Sequence, residues 1–290
     1  MYLEQYLKCI TSFYPSLQIS TIHWNHFGEN NDILFLNDQW VFRFPKHDEA
    51  LKSLQTECAQ LTYVRPYITL PTPEPIFVNT DTNILGQAFF GYPLIPGAPL
   101  YAETVNDSPS SVQERFAQNL AQFLCELHAI PTEDAPGMVI SNDTAYNYWV
   151  KLYEKIKQSL FSYIRLEKQQ LITRHFELFL NDRSNFEFIP AIIHGDFGIS
   201  NILYNDEEKQ ISGIVDFGSS HVGDPAIDIA GLFKQYGLQF VDIMANYYPD
   251  LENLLPRAKF YAGTFGLQEA LYGYQHHNQE SLENGLKEYV

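Results

Sequence analysis

Three polar side chains, His194, Asp196 and Asn201, stand within eight positions in the stretch IIHGDFGISNILYN, residues 192–205. A fourth, Asp216, ends the apolar run of ISGIVDFGSSHVGDPAIDIA, residues 211–230, just before Phe217 and Gly218. An ionised aspartate and an asparagine carbonyl are hard oxygen ligands that suit Mg²⁺, with phosphate oxygens completing its shell. A further aspartate beside them can orient a hydroxyl or take its proton. Together these parts suit phosphoryl transfer, where positioning and charge neutralisation carry most of the catalysis. Carboxylates are weak bases at neutral pH, so orientation of a hydroxyl by Asp196 counts for more than proton removal. His194 reads as a structural hydrogen-bonding residue and not as a proton shuttle.

For these groups to meet, the chain must turn back on itself between them. NILYN and ISGIV are strand-like, and the turn-like DEEKQ separates them. A hairpin there brings Asn201 and Asp216 to one end. Asp196 precedes Asn201 by five residues, so all three can converge.

The rest of the chain divides around a Gly- and Pro-rich stretch, GYPLIPGAPL, residues 91–100. Before it, an amphipathic helix (MYLEQYLKCITSFYP) leads into strands at 17–24, 32–37 and 39–44, with turns at FGENND and Asn37-Asp38, and Pro45 ending the third. A helix follows from residue 47, with Leu51, Leu54, Cys58 and Leu61 as its apolar stripe, then strands near 75–79 and 85–92. Beyond the linker helices dominate. One carries Phe116, Leu120, Phe123, Leu124 and Leu127 on one face, with Ser111 and Glu114 at capping-box spacing. Residues 142–180 read as further helix, and helices resume from about 225. The expected fold is α+β: a small antiparallel-sheet lobe over residues 1–91, a linker over 92–100, and a larger helical lobe over 101–290.

Composition narrows the function classes. Acidic residues outnumber basic ones 35 to 18, and a net charge of −17 opposes non-specific nucleic-acid binding and an anionic membrane surface. It is compatible with a cationic substrate, but simple solubility explains it as well and is the favoured reading. The three cysteines, Cys9, Cys58 and Cys125, are too far apart and odd in number for a disulfide framework or zinc site. The first helix lacks a basic start and a small-residue cleavage site, so it does not read as a signal peptide. No apolar run approaches the ~18 residues of a membrane span. A cytoplasmic protein is expected, with a monomer as the default.

The order and setting of these motifs resemble a known family. His194-Gly195-Asp196 with Asn201 looks like a kinase catalytic loop, with Gly in place of the usual Arg, and Asp216-Phe217-Gly218 like the metal-binding element of kinases. With GDPAIDIA following, the chain resembles the aminoglycoside phosphotransferase family of small-molecule kinases, and most of all the aminoglycoside 2″-phosphotransferases. The similarity takes in the GENND turn, FRFPKH, PGAPL, ELHAIP, the catalytic loop and ALYG.

The resemblance implies a two-lobed protein-kinase-like fold, Mg²⁺, and ATP or GTP as phosphoryl donor. Asp196 would be the catalytic base or orienting group, Asn201 and Asp216 the metal ligands, and Asp228 the brace of the catalytic loop with His194. Gly28, Asn30 and Asn31 would approach phosphate. Arg43 or Lys46 would supply the phosphate-binding cation, with Glu57 as its partner. Phe90, Gly91, Tyr92 and Leu94 would form the purine slot. A polycationic acceptor would need a carboxylate-lined groove, for which Asp242, Glu269, Glu280 and Glu283 are candidates, with Phe265, Tyr272 or Trp149 as stacking surfaces. Yet GLFKQYGLQF, residues 231–240, carries no acid. Only five residues separate Gly218 from Asp224, too few for the activation segment of a regulated protein kinase. The rivals are a same-fold kinase for a macrolide, choline-like or sugar acceptor, and a nucleotide-binding pseudokinase.

Overall fold

The computed structural model describes residues 2–137 and 139–290. Helix α1 (Tyr2–Phe13) lies against one face of a five-stranded antiparallel sheet of order β1-β2-β3-β5-β4: β1 (Ile22–Asn25), β2 (Asn31–Leu36), β3 (Trp40–Pro45), β4 (Phe77–Asn79) and β5 (Phe89–Pro93). Strand alternation sorts the sheet's residues. Leu34, Leu36, Phe42 and Phe44 pack under Tyr6 and Ile10 of α1. Val41 and Phe90 face the other way, into the main core with Leu54, Cys58 and Leu61 of α2 (Asp48–Val64).

Two details of this lobe depart from expectation or sharpen it. The first strand is shorter than 17–24, because the Asn37 side chain holds the backbone of Gln18, Ser20 and Thr21 in place of a ladder partner. Asn37 and Asp38 both have positive φ, 59° and 53°. They lie in a three-residue loop, 37–39, between paired Leu36 and Trp40, closed by the Gln39 N–H donating to the Leu36 carbonyl at 3.1 Å.

After β6 (Ala98–Pro99) the chain is helical: α3 (Ala102–Asn106), α4 (Ser110–His128), α5 (Asn142–Leu160) and α6 (Leu166–Leu180). The expected apolar face of α4 is wholly buried. Its expected capping box does not form. The helix starts at Ser110 with Pro109 at the cap, which puts Ser111 inside the first turn. Glu114 instead accepts from the Tyr247 hydroxyl at 2.8 Å. The helical stretch expected over 142–180 is two helices, α5 and α6. Gln169 caps the break by donating to the carbonyls of Phe161 and Ile164, both at 2.8 Å.

Then come the short strands that carry the motifs: β7 (Ala191–Ile193), β8 (Ile202–Asn205), β9 (Gln210–Ile214) and β10 (His221–Gly223). β7 pairs with β10, while β8 pairs with β6 and β9. Four helices close the chain: α7 (Ala226–Met244), α8 (Leu251–Ala262), α9 (Phe265–Gln275) and α10 (Gln279–Leu286). The α7 axis breaks at Gly237, and Tyr236 just before the break donates to the Leu100 carbonyl at 2.7 Å. The result is the α+β, two-lobed kinase-like arrangement. Among the described residues no helix is long and apolar enough to cross a membrane. Cys9, Cys58 and Cys125 are free thiols.

Candidate active site

The hairpin of β8 and β9 sets Ile202 opposite Ile214, and the Val215 N–H donates to the Asn201 carbonyl at 2.9 Å. Asn201 and Asp216 therefore leave the hairpin side by side. Asn201 turns its amide back on the catalytic loop, donating to the Asp196 carbonyl at 2.8 Å and to its carboxylate at 3.0 Å. This use of Nδ2 leaves Oδ1 as the atom suited to a metal. Asp216 sits at φ 64°, in the left-handed region, and its side chain is half exposed toward the cleft. Among the described residues no three His, Cys, Asp or Glu side chains are grouped to hold an ion alone. The oxygens of Asp216 and Asn201 fit Mg²⁺ that takes its other ligands from phosphate and water.

The loop bearing Asp196 is braced from within. Asp228, at the start of α7 and fully buried, accepts from the backbone N–H groups of His194 at 2.8 Å and Gly195 at 2.9 Å. His128, at the end of α4, reaches the same carboxylate at 3.1 Å and Tyr248 at 2.8 Å. Burial pushes the Asp228 carboxyl up, but the His128 bond, the neighbouring imidazoles and the His194 N–H outweigh it and hold the group below its ordinary pKa. His194 donates from Nε2 to the Val215 carbonyl at 3.0 Å, and its Nδ1 faces the Asp196 N–H at 3.4 Å. Both ring nitrogens thus face backbone groups.

Across the cleft, Arg43 on β3 points down toward α2. Its Nη1 lies 2.6 Å from Glu57 and its Nη2 3.2 Å from Asp216. Burial opposes the guanidinium's charge, yet Glu57 and Asp216 hold its pKa above the ordinary value. Burial pushes Glu57 up to about 7, against the pull of Arg43 and of a hydrogen bond from the Phe217 backbone. One carboxylate thus ties β3, α2 and the Asp216 turn together. Lys46 is turned away from this cluster. It donates to the carbonyls of His26 at 2.5 Å and Gly28 at 2.6 Å and lies 3.6 Å from Asp32, so it holds the β1–β2 loop from behind.

Two cavities flank the catalytic loop. The first, about 300 Å³, has the β1–β2 loop with Gly28, Glu29, Asn30 and Asn31 as its roof, Arg43 and Ser53 as one wall, and Asp196, Asp216, Gly218 and Ser219 below. Phe90, Gly91 and Tyr92, expected at the purine slot, are buried in the interior strand β5 and pair with β3 or β4. The Leu94 N–H is also committed, to the Gln39 carbonyl at 2.7 Å. Ser53 escaped sequence reasoning, although it lies four residues before Glu57 and hence on the same helix face.

The second cavity, about 240 Å³, lies on the other side of Gly195. Its walls are mostly aromatic and aliphatic, with Trp149 from α5, Ile227 from α7, Tyr261 from α8 and Phe265 from α9, besides Phe188 and Tyr148. His221, Asp224 and Gln268 are its polar lining. Trp149 and Phe265 were expected at an acceptor surface. Asp242, Glu269, Glu280 and Glu283 are exposed and line neither cavity. Tyr272 lies elsewhere as well: its hydroxyl bonds the Glu29 carboxylate across the cleft.

Comparison with known proteins agrees with this geometry. The viomycin phosphotransferase of Streptomyces vinaceus is 29% identical over 221 residues, 75% of each chain. The mouse (Mus musculus) acyl-CoA dehydrogenase family member 10 is 20% identical over 238 residues, 79% of this chain but 21% of that longer protein. The GDP and kanamycin complex of APH(2″)-IIia superposes with a TM-score of 0.87 and 25% identity, over 97% of this chain and 96% of the other. A family model described as the phosphotransferase enzyme family, APH, matches residues 25–261, a span that holds every group of the cleft from Gly28 to Asp228, and the chain belongs to that family.

Proposed function

We propose that this enzyme moves the γ-phosphoryl group of ATP or GTP, with Mg²⁺, to a hydroxyl of a small-molecule acceptor. The observation that carries the reading is the meeting of two cavities at Gly195-Asp196, one lined by Arg43, Asp216 and the Gly28 loop, the other by side chains of the helical lobe.

In this reading the first cavity holds the triphosphate. Arg43 neutralises phosphate charge, and Glu57 keeps the guanidinium aimed. Asp216 and Asn201 would hold Mg²⁺, which would supply neutralisation of phosphate charge. Asp196 orients the acceptor hydroxyl and receives its proton as the oxygen bonds to the γ-phosphorus. The bond from that phosphorus to the bridging oxygen breaks, and the nucleoside diphosphate leaves. The backbone brace at Asp228 fixes Asp196 for this step. The division into a nucleotide lobe over 1–91, a linker over 92–100 and an acceptor lobe over 101–290 belongs to the same proposal. Because Phe90–Tyr92 are paired within the sheet, Pro93 has no N–H and the Leu94 N–H is held by Gln39, the purine edge falls to the linker beyond Leu94.

The likeness to APH(2″)-IIia, described as bound to GDP and kanamycin, supports an aminoglycoside as the first acceptor to test. The mainly apolar second cavity supports another acceptor class. The test is a turnover screen with Mg·ATP and Mg·GTP over aminoglycosides, macrolides and metabolite alcohols. Asp196→Ala is expected to lower kcat about 10²–10⁴-fold while nucleotide affinity stays within a few-fold. Near-normal turnover by that variant removes Asp196 from the mechanism, and loss of nucleotide binding reassigns it to structure. Nucleotide binding with no acceptor-stimulated turnover would favour a pseudokinase.

A further inference from the structure

We infer that the group seated beside the catalytic loop is uncharged and presents an apolar ring face, so that the acceptor is a neutral hydroxyl compound and not a polycation. This rests on the phosphotransfer reading above and names the acceptor class for that site.

The walls of the second cavity make the case. Trp149 and Tyr261 stack with centroids 4.9 Å apart and planes 13° from parallel, and Phe188 and Phe265 complete an apolar lining. The acid on the wall, Asp224, is already satisfied. It accepts from Arg257 Nε at 2.6 Å and Nη2 at 3.1 Å, from the Tyr261 hydroxyl at 2.8 Å and from the Ala226 N–H at 3.0 Å. Its charge is cancelled and its oxygens are occupied. An ammonium entering here would lose water with no free carboxylate to replace it. Aromatic faces can hold a cation, but over Phe188 that place is already taken by the Arg257 guanidinium, 5.9 Å from the ring centre. The chain's net charge of −17 does not offset this, because exposed acids act weakly beyond ~8 Å in physiological salt.

The polar groups that remain suit hydroxyls. His221 donates from Nδ1 to the Ser219 carbonyl at 2.8 Å, while its Nε2 is buried with no hydrogen-bond partner among the described residues. In the neutral ring that nitrogen accepts an O–H. Gln268 donates to the Thr264 hydroxyl at 2.9 Å and keeps its carbonyl for a ligand donor. At about 240 Å³ the cavity is smaller than the ~300–1,000 Å³ of a site for a whole drug-sized ligand, so it takes one ring and leaves the remainder outside.

The test uses the full chain with Mg·ATP and Mg·GTP. Phenyl and octyl glycosides serve as uncharged probes and kanamycin as the polycation. Binding is read by quenching of tryptophan fluorescence and turnover by nucleoside diphosphate release. The best neutral probe should exceed kanamycin in kcat/KM by at least about tenfold. Phe265→Ala should raise the acceptor KM about tenfold with a smaller change in kcat. Gln268→Glu, which adds a carboxylate to the lining, should shift preference toward kanamycin. Mg·ADP binding by calorimetry shows that each variant is folded. Preference for kanamycin in the unmodified chain, or neither binding nor turnover of any neutral probe, overturns the inference. Failure to bind Mg·nucleotide at all overturns the kinase reading instead, and the two failures are read in separate assays.

Discussion

At Gly195 the backbone adopts φ +80°, and a Cβ built there would lie 2.3 Å from the Ser219 carbonyl oxygen. The residue is squeezed between His194 and Asp196 because the loop must turn sharply while both its N–H groups reach Asp228. Only glycine satisfies both constraints. Gly195→Ala is therefore expected to cost more than about 2 kcal/mol of stability, from left-handed strain and the backbone clash together. It should also lower kcat at least tenfold in the fraction that folds, since Asp196 moves with its neighbour. Urea unfolding and single-turnover kinetics measure the two effects; an unchanged midpoint would mean that the loop relaxes freely. The same constraint explains why Gly stands where kinase loops usually carry Arg. The cluster of Asp196, Asn201 and Asp216 was legible in the sequence because a hairpin and a five-residue spacing are local facts. The choice between Arg43 and Lys46 was left open, although strand parity bears on it. Positions 42 and 44 face α1, so 43 faces α2 and the cleft, while 46 lies past the strand's end.

Helix α2 is the element on which the cleft's charge state turns. Its apolar stripe anchors it under the sheet, and that anchoring buries Glu57 beside Arg43. With its pKa pushed up to about 7, Glu57 exchanges a proton in the physiological range. Below that value the protonated carboxyl loses its ionic hold on Arg43, so kcat/KM for nucleotide should rise with pH through about 7. Glu57→Gln should flatten that limb and lower its plateau, as a pH series of initial rates would reveal; an unchanged profile would place the limb on another group. The stability effect has the opposite sign. The folded pKa lies above the ordinary 4.5, so the folded chain binds more protons between those values, and this group's contribution weakens as pH rises from about 4.5 to about 7. Elements of this kind were readable from local pattern: the α2 stripe and the α4 face from periodicity, and the turn at Asn37-Asp38 from its residue types. What escaped depended on position to within one residue or on side-chain caps. Ser111 fell inside its helix, and the break within 142–180 that Gln169 caps has no local signal. The second cavity was largely hidden for another reason. Its walls come from four helices far apart in the chain, and no local pattern encodes their meeting.

On the scale of the whole molecule, α9 links the two sides of the reaction. Its first residue, Phe265, lines the second cavity, and two turns later Tyr272 crosses the cleft to bond Glu29 in the roof of the first. Glu29 is an acid beside a cavity that we assign to phosphate, where a free carboxylate would repel the donor. The Tyr272 hydroxyl tethers that carboxylate, and the tyrosine ring stacks on His276 with centroids 4.1 Å apart. Removing the hydroxyl should free Glu29 to face the phosphates. Tyr272→Phe is expected to raise the KM for Mg·nucleotide about three- to tenfold at low ionic strength, with a smaller effect at high salt because the groups are exposed. Glu29→Gln in the same chain should restore the affinity, since it removes the repulsion at its source. A double variant as weak as Tyr272→Phe alone would show that the tyrosine acts by packing and not by restraining charge. A salt-independent defect would point the same way. Rescue would establish that the roof of the nucleotide cavity is set from the acceptor side, through a single helix that lines the second cavity with Phe265 and reaches the roof of the first with Tyr272.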